Sequence, residues 1–253
     1  MIELLTWENL AALTALASLE IVLGIDNVVL IAILSGRLPE RVQSRARKTG
    51  LLAAMVMRIL LLLVITQILK LGGEVFEILG HPFSWKDLIV IVGGAFLIGK
   101  ATHEIHESLE GHREEAAAQK AKATFVGVIA QIMVMDAVFS MDSVITAVGM
   151  VKQDQPGALA IMITAIVLAV LVMLLAADPI ARFIAKHPTT KMLALSFLML
   201  VGIVLVADGF GQHVRRGYIY SAMAFSLFVE VLNLTAKKRR MKKAGKRAMG
   251  SGQ

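Results

Sequence analysis

Two short stretches hold the residues best suited to chemistry in this 253-residue chain. The first, Glu20 to Val28, reads EIVLGIDNV, and the second, Asp136 to Val144, reads DAVFSMDSV. Each places a carboxylate, five spacer residues, a second carboxylate, a residue with an amide or hydroxyl, and then valine. In register, Glu20 matches Asp136, Gly24 matches Ser140, Asp26 matches Asp142 and Asn27 matches Ser143. Both stretches lie inside long apolar runs, where a carboxylate is costly and is read as functional by default. Four carboxylates with amide, hydroxyl and backbone oxygens are ligands for a hard cation, and Mn²⁺, Mg²⁺ and Ca²⁺ all fit by ligand type. The chain has no cysteine, which removes thiolate metal sites, disulfides and thiol redox chemistry together. One dication does not neutralise four carboxylates. Protons, a second ion or Arg58, which lies in the next apolar run, must supply the balance.

The geometry expected of each motif follows from helical spacing. On an unbroken helix Glu20, Gly24 and Asn27 fall at i, i+4 and i+7 and share a face, as do Asp136, Ser140 and Ser143. Asp26 and Asp142 lie off that stripe. A local unwinding near Gly24 and Ser140 would turn them inward and free backbone carbonyls as further ligands, so two broken helices are expected.

The elements that must carry the motifs are membrane spans. The chain is 57% hydrophobic with a mean hydropathy of +0.73, above the apolar share of ordinary soluble domains. Apolar runs predict seven spans at about residues 7–34, 50–69, 87–102, 124–150, 157–177, 192–207 and 217–234, the first longer and the third shorter than the roughly 20 residues a bilayer requires. The fold class is therefore all-α and polytopic. Residues 35–49 read as a basic loop, and residues 237–253 as a basic tail without apolar periodicity, expected to be disordered. No basic n-region precedes the first apolar run, so a cleavable signal is not expected.

Basic residues set orientation. One side receives Arg37, Arg41, Arg45, Arg47 and Lys48, then Lys100, Arg113, Lys120 and Lys122, then Arg182, Lys186, Lys191 and the tail; the other receives Lys70, Lys86, Lys152, Arg215 and Arg216. This bias places the N-terminus outside and the C-terminus in the cytoplasm. The net charge of +7 thus reports topology and contact with the lipid bilayer rather than nucleic-acid binding. His81-Pro82 before the third span recurs as His187-Pro188 before the sixth. Residues 7–102 and 124–208 then form two three-span repeats. Because each has an odd number of spans, the second is inverted, the plan of many secondary transporters. The helix at 217–234 stands outside the repeat.

Other readings of the same residues stay open. The motif acids could be an interhelical network that only holds the bundle together. Arg58 is either a counter-charge to a motif carboxylate or a gating residue. His103, His106 and Glu107, with Glu104, could collect metal at the cytoplasmic face, but a solvated helix end is the simpler reading of that segment. Asp178 before Pro179 and Asp208 before Gly209 read as helix terminators. Two aspartates on different spans also suit an intramembrane aspartyl-type enzyme, although a matched acid pair in each span favours transport over catalysis. A non-transporting accessory protein is the third class. Oligomeric state is not legible.

The chain resembles the TerC/Alx family of bacterial integral membrane proteins, in particular its short members without added cytoplasmic domains. The resemblance runs from about Leu4 to Leu234. It rests on EIVLGIDNVV, AMVMR ending at Arg58, FLIGKATHEIHE from Phe96, QIMVMDAVFSMDSVITAVG from Gln131, KMLALSFLMLVG from Lys191 and GYIYSAMAFSLFVE from Gly217. It implies a multi-pass protein of the bacterial inner membrane that exports manganese from the cytoplasm, with an older association with tellurium-oxyanion resistance. The ion is then cargo, and no permanently bound cofactor is expected. On the same resemblance Glu20, Asp26, Asn27, Asp136, Asp142 and Ser143 are ion-pathway residues.

Overall fold

A helix can place a carboxylate in an apolar interior only if its neighbours approach closely enough to exclude lipid and supply partners. The computed structural model describes residues 6–71, 76–78, 81–83, 85–110, 123–150, 157–212 and 216–250; some side chains along them, including those of Asp26 and Asp142, lie outside the described residues. Residues up to Gln212 form one compact unit and those from His213 a second.

In the first unit the helices are α1 (Trp7–Ser35), α2 (Glu40–Leu71), α3 (Trp85–Glu110), α4 (Phe125–Met150), α5 (Ala158–Lys186) and α6 (Pro188–Gly209). Between α2 and α3, β1 (Phe76–Ile78) pairs antiparallel with β2 (His81–Phe83), Phe76 opposite Phe83 and Ile78 opposite His81. Local chemistry sets several ends. The Thr6 hydroxyl accepts from the Asn9 amide at 3.3 Å and starts α1. Pro188 opens α6 at a position where its missing N–H costs nothing. Gly211, at φ 80°, takes the left-handed conformation just beyond the end of α6.

The principal packing partners are α1 with α5, α2 with α4, and α3 with α6, supplemented by α2 with α5 and α1 with α4. Small residues make the close crossings. A Cβ on Gly94 would lie 2.7 Å from the Gly202 carbonyl, and one on Gly202 would lie 2.9 Å from the Gly94 carbonyl, so α3 and α6 touch backbone to backbone. Leu16, Ile31, Leu34, Leu62, Ile132, Met135 and Met162 are fully buried between the helices, while Val22, Ile25, Val56, Leu60, Val134, Leu171 and Leu175 point outward. The polar residues Glu20, Asn27, Arg58, Asp136, Ser140 and Ser143 are inside. An apolar exterior around a polar interior is what a lipid surround demands.

Among the described residues, six helices are long and apolar enough to cross a membrane: Trp7–Ser35, Glu40–Thr66, Asp87–Leu109, Ala158–Lys186, Pro188–Gly209 and Gly217–Ala236. In the expected fourth span, α4, the apolar stretch among the described residues is the shorter Phe125–Met141.

Four expectations are corrected. The helices are not broken at the motifs: α1 and α4 run without interruption through Gly24 and Ser140. Gly24 serves interhelical contact instead, since a Cβ there would lie 2.5 Å from Met173 Cε, and Ser143 donates to the Ser140 carbonyl within the helix at 3.3 Å. The basic stretch 35–49 is helical from Glu40, because Pro39 stands just before a run rich in the helix formers Arg, Lys, Gln and Ala. Asp178 does not terminate α5, which continues through Pro179 to Lys186; the Asp178 carboxylate is instead fastened to α2 by Ser44 and Arg47. In the second unit α7 (Arg216–Gly250) is helical well beyond Lys237, where disorder was expected, since lysine, arginine, alanine and methionine there all favour helix. Its Tyr218, Phe225, Leu227, Phe228, Val231 and Leu232 are exposed.

Gly202→Leu should therefore lower the thermal midpoint of the purified protein in detergent by an amount corresponding to about 1–3 kcal/mol, the usual cost of overpacking. Gly99→Ala, where a Cβ meets nothing within 4 Å, should leave the midpoint almost unchanged. Equal midpoints for the two variants would show that the α3–α6 crossing does not need its glycines.

Candidate functional site

Three helices bring one polar cluster together. α1 contributes Glu20 and Asn27, two turns apart on one face; α4 contributes Asp136, Ser140 and Ser143 by the same spacing; α2 contributes Arg58. Their exposures are 2% for Glu20, 3% for Arg58 and 5% for Asp136, so all three charges are out of solvent. Arg58 bridges the two motifs. Its Nη1 donates to Glu20 Oε2, and its Nη2 donates to Asp136 Oδ1 at 2.6 Å. Asp136 Oδ1 also accepts from Asn27 Nδ2 at 3.0 Å, and Oδ2 accepts from the Ser140 hydroxyl at 3.0 Å. Each buried ion costs several kcal/mol to desolvate, so the cluster persists only because the guanidinium fork and the neutral donors satisfy the carboxylates closely.

Two features leave this cluster incomplete as a purely structural network. Two carboxylates face one guanidinium, so these three groups carry a formal charge of −1. In addition, Asn27 Oδ1 is buried with no hydrogen-bond partner among the described residues, although its own amide nitrogen is engaged. An orphaned buried amide oxygen on a residue bonded to Asp136 is a donor of the type that hard cations take.

The expected residues are thus distributed unevenly. Glu20, Asn27, Asp136 and Arg58 converge, Ser140 joins them, and Ser143 is buried but bonded to its own helix backbone. The backbones of Asp26 and Asp142 lie in α1 and α4, and their side chains fall outside the described residues. No group of three His, Cys, Asp or Glu side chains that could hold a metal occurs among the described residues.

The segment with His103, His106 and Glu107 is a separate place. At about 1.5 Å per residue, the fifteen steps along α1 from Glu20 to Ser35 span roughly 22 Å, and this segment meets the chain just after that end. It is not simply solvated. Glu104 is buried and pairs with Arg37 at 2.7 Å and Lys100 at 3.1 Å, while Glu107 pairs with Arg37 and lies 3.4 Å from His103 Nε2. His103 and His106 are exposed. Two of the four residues proposed to collect metal are therefore ion-paired to the α1–α2 connection.

Sequence reasoning missed a second cluster near the same end. Arg47 Nη2 meets Asp178 Oδ1 at 2.6 Å, its Nε donates to the same oxygen at 2.9 Å, its Nη1 donates to Ser35 Oγ at 3.3 Å, and Ser44 donates to Asp178 Oδ2 at 3.0 Å. The signal was present: Arg47 and Arg58 are eleven residues apart, three turns along one face of α2, and Leu51, Ala54 and Leu62 complete that buried stripe. It was hidden by treating residues 35–49 as a loop.

Residues 5–245 match the profile described as the integral membrane protein TerC family. The chain belongs to the TerC family. It is 48% identical over 228 residues to the UPF0053 inner membrane protein YgdQ of Escherichia coli K12, covering 90% of this chain and 93% of that one. It is also 48% identical over 227 residues to a UPF0053 protein of Haemophilus influenzae, covering 90% and 94%. The UPF0053 inner membrane protein YoaE of E. coli K12 is 47% identical over 228 residues, but there the chain spans only 43% of the relative's length. No solved structure matches the chain. The family match extends over both motifs, the Arg58 segment and α7 as far as residue 245, so the buried cluster is a feature of a TerC-family membrane protein.

If Arg58 holds the two motif helices together, Arg58→Gln should lower stability by about 3–5 kcal/mol by leaving two buried carboxylates without their cation. The triple variant Glu20→Gln, Arg58→Gln, Asp136→Asn, which removes every charge of the cluster, should regain most of that loss. Thermal unfolding in detergent reads both, and a triple variant no more stable than the single one would contradict the ion-pair account.

Proposed function

We propose that this TerC-family protein carries a divalent cation, manganese foremost, out of the cytoplasm through a site built jointly by α1 and α4. The observation that carries the reading is the buried Glu20–Arg58–Asp136 bridge, in which carboxylates from two separate but matched motifs meet at one point. The orphaned Asn27 oxygen and the excess of carboxylate over guanidinium support a cation at that point. Asp26 and Asp142 stand off the stripe of Asn27 and Ser143 on the unbroken helices, so they enter the proposed ligand set by their matched spacing alone, with Ser143 close by on α4. Hard oxygen donors without thiolates favour Mn²⁺, and Mg²⁺ or Ca²⁺ fit the same donor types. With more carboxylates than one dication neutralises, proton exchange for metal follows.

The architecture proposed with this function has seven spans, α4 among them, and two inverted three-helix repeats. Packing supports the repeat. Exchanging α1 with α4, α2 with α5 and α3 with α6 turns the α1–α5 contact into the α2–α4 contact and the α3–α4 contact into the α1–α6 contact. It leaves α3–α6, α2–α5 and α1–α4 in place. Under this proposed exchange a site on the α1–α4 contact would lie at its axis, where inverted-repeat transporters bind their ions. The lysine and arginine bias puts the C-terminus in the cytoplasm. An aspartyl-type enzyme fits less well, because a guanidinium rather than a shared proton stands between Glu20 and Asp136.

Everted membrane vesicles, with the cytoplasmic face outward, provide the test. Vesicles containing the protein should accumulate Mn²⁺ in their lumen when a pH gradient is imposed, and those containing Asp26→Asn should not, at equal amounts of inserted protein. Accumulation that survives collapse of the proton gradient at fixed membrane potential would remove proton coupling. No accumulation of any divalent metal, measured element by element, would remove the transport reading.

A further inference from the structure

A carrier for a dication faces a difficulty once its cargo has left: carboxylates remain at bilayer depth without a cation, an arrangement that resists any movement through the low-dielectric interior. The described residues contain a group placed to solve this. Arg58 reaches the cluster from α2, which belongs to neither motif, and its two terminal nitrogens bond separately to Glu20 of α1 and Asp136 of α4. Its guanidinium thus occupies the bridging position between the carboxylates of both motifs, where a shared dication would have to sit.

We propose that Arg58 is a tethered substitute for the transported cation, competing with it for Glu20 and Asp136. The inference rests on the reading of the chain as a divalent-cation carrier and adds the means by which the empty site returns. Three observations carry it. The bridge engages the same carboxylate oxygens a metal would use, so Arg58 and a metal exclude one another there. Asn27 has its nitrogen on Asp136 and its buried oxygen unsatisfied, so this ligand stays unused while the guanidinium is in place and gains a partner when a metal replaces it. Finally, the guanidinium holds each carboxylate by a single nitrogen rather than clamping one of them bidentately, the weaker and more exchangeable mode. Metal arrival moves the two carboxylates from Arg58 to the ion. Metal departure returns them to Arg58, and protons are then needed only on carboxylates that Arg58 does not reach for the empty site to reorient.

The test uses purified protein in proteoliposomes and detergent, with Mn²⁺ as the probe. Arg58→Gln should bind Mn²⁺ about tenfold more tightly than wild type, because a site free of its own cation a tenth of the time binds about tenfold more weakly than one always free. Mn²⁺ should correspondingly raise the thermal midpoint of Arg58→Gln more than that of wild type. In liposomes Arg58→Gln should retain Mn²⁺-for-Mn²⁺ exchange while losing net Mn²⁺ efflux, since only net efflux requires the empty site to return. Equal or weaker binding by Arg58→Gln, or exchange and net efflux lost in parallel, would overturn the proposal. Should Arg58→Gln not yield folded protein, Arg58→Lys serves: a point charge unable to span both carboxylates should bind Mn²⁺ more tightly than wild type, and an affinity equal to or weaker than wild type would overturn the proposal. Wild-type protein that neither binds nor moves Mn²⁺ would instead defeat the carrier reading itself.

Discussion

The bridge from Glu20 through Arg58 to Asp136 joins three helices drawn from distant parts of the chain, and the packing around it is arranged to keep it dry. Three charges at a few per cent exposure lose hydration worth several kcal/mol each, and a mispositioned partner would leave that cost uncompensated. The position of α2 relative to α1 and α4 is therefore set to within the length of a hydrogen bond. Asn27 and Ser140 take up further lone pairs of Asp136, so the carboxylate on α4 is held from three sides. Glu20 carries the Arg58 bond, and Leu16, one turn earlier on the same face of α1, is buried as it is.

Close approach of the helices is what makes this precision attainable. Gly24 lets Met173 of α5 lie directly against α1 one turn from Glu20, and the Gly94–Gly202 crossing draws α3 onto α6. At the end of α1 beyond the motif, Arg47 ties α2 to Asp178 of α5 and to Ser35, and Arg37 ties the α1–α2 connection to Glu104 and Glu107 of α3. Between these ties and the central bridge, Val28, Ile31, Leu34, Leu51 and Ala54 fill the seam with apolar side chains. These two polar clusters thus stand at two levels of one helical seam, separated by packed hydrocarbon.

Much of the helical order and of the site could be read from the residues, for identifiable reasons. Carboxylates inside apolar runs announce themselves, and the i, i+4, i+7 spacing of Glu20, Gly24 and Asn27 correctly placed them on one buried face. Arg58 stood out as a charge in an apolar run. What could not be read was how partners at great sequence distance satisfy a charge. Asp178 looked like a helix terminator because Pro179 follows it, yet its carboxylate is determined by Arg47, more than a hundred residues earlier. Glu104 looked solvated because its neighbours are polar, but Arg37 and Lys100 bury it. The unwinding expected at Gly24 failed for a related reason: glycine permits both a break and a close contact, and only the position of Met173 decides between them. The helix at residues 40–49 was missed because basic residues were read for topology alone, which concealed that α2 carries Arg47 and Arg58 on one face.

The central claim is that the two motifs make one ion site rather than two. The most direct measurement is the stoichiometry and affinity of Mn²⁺ binding to the purified protein by titration calorimetry, for wild type, Asp26→Asn, Asp142→Asn and the double variant. Both substitutions keep side-chain shape and remove one charge, one in each motif. A shared site predicts one Mn²⁺ per chain in wild type, loss of that ion in either single variant, and no further loss in the double variant beyond what each already imposes. One full-affinity Mn²⁺ still bound in each single variant would mean that α1 and α4 build separate sites, and the account of a joint site would be wrong.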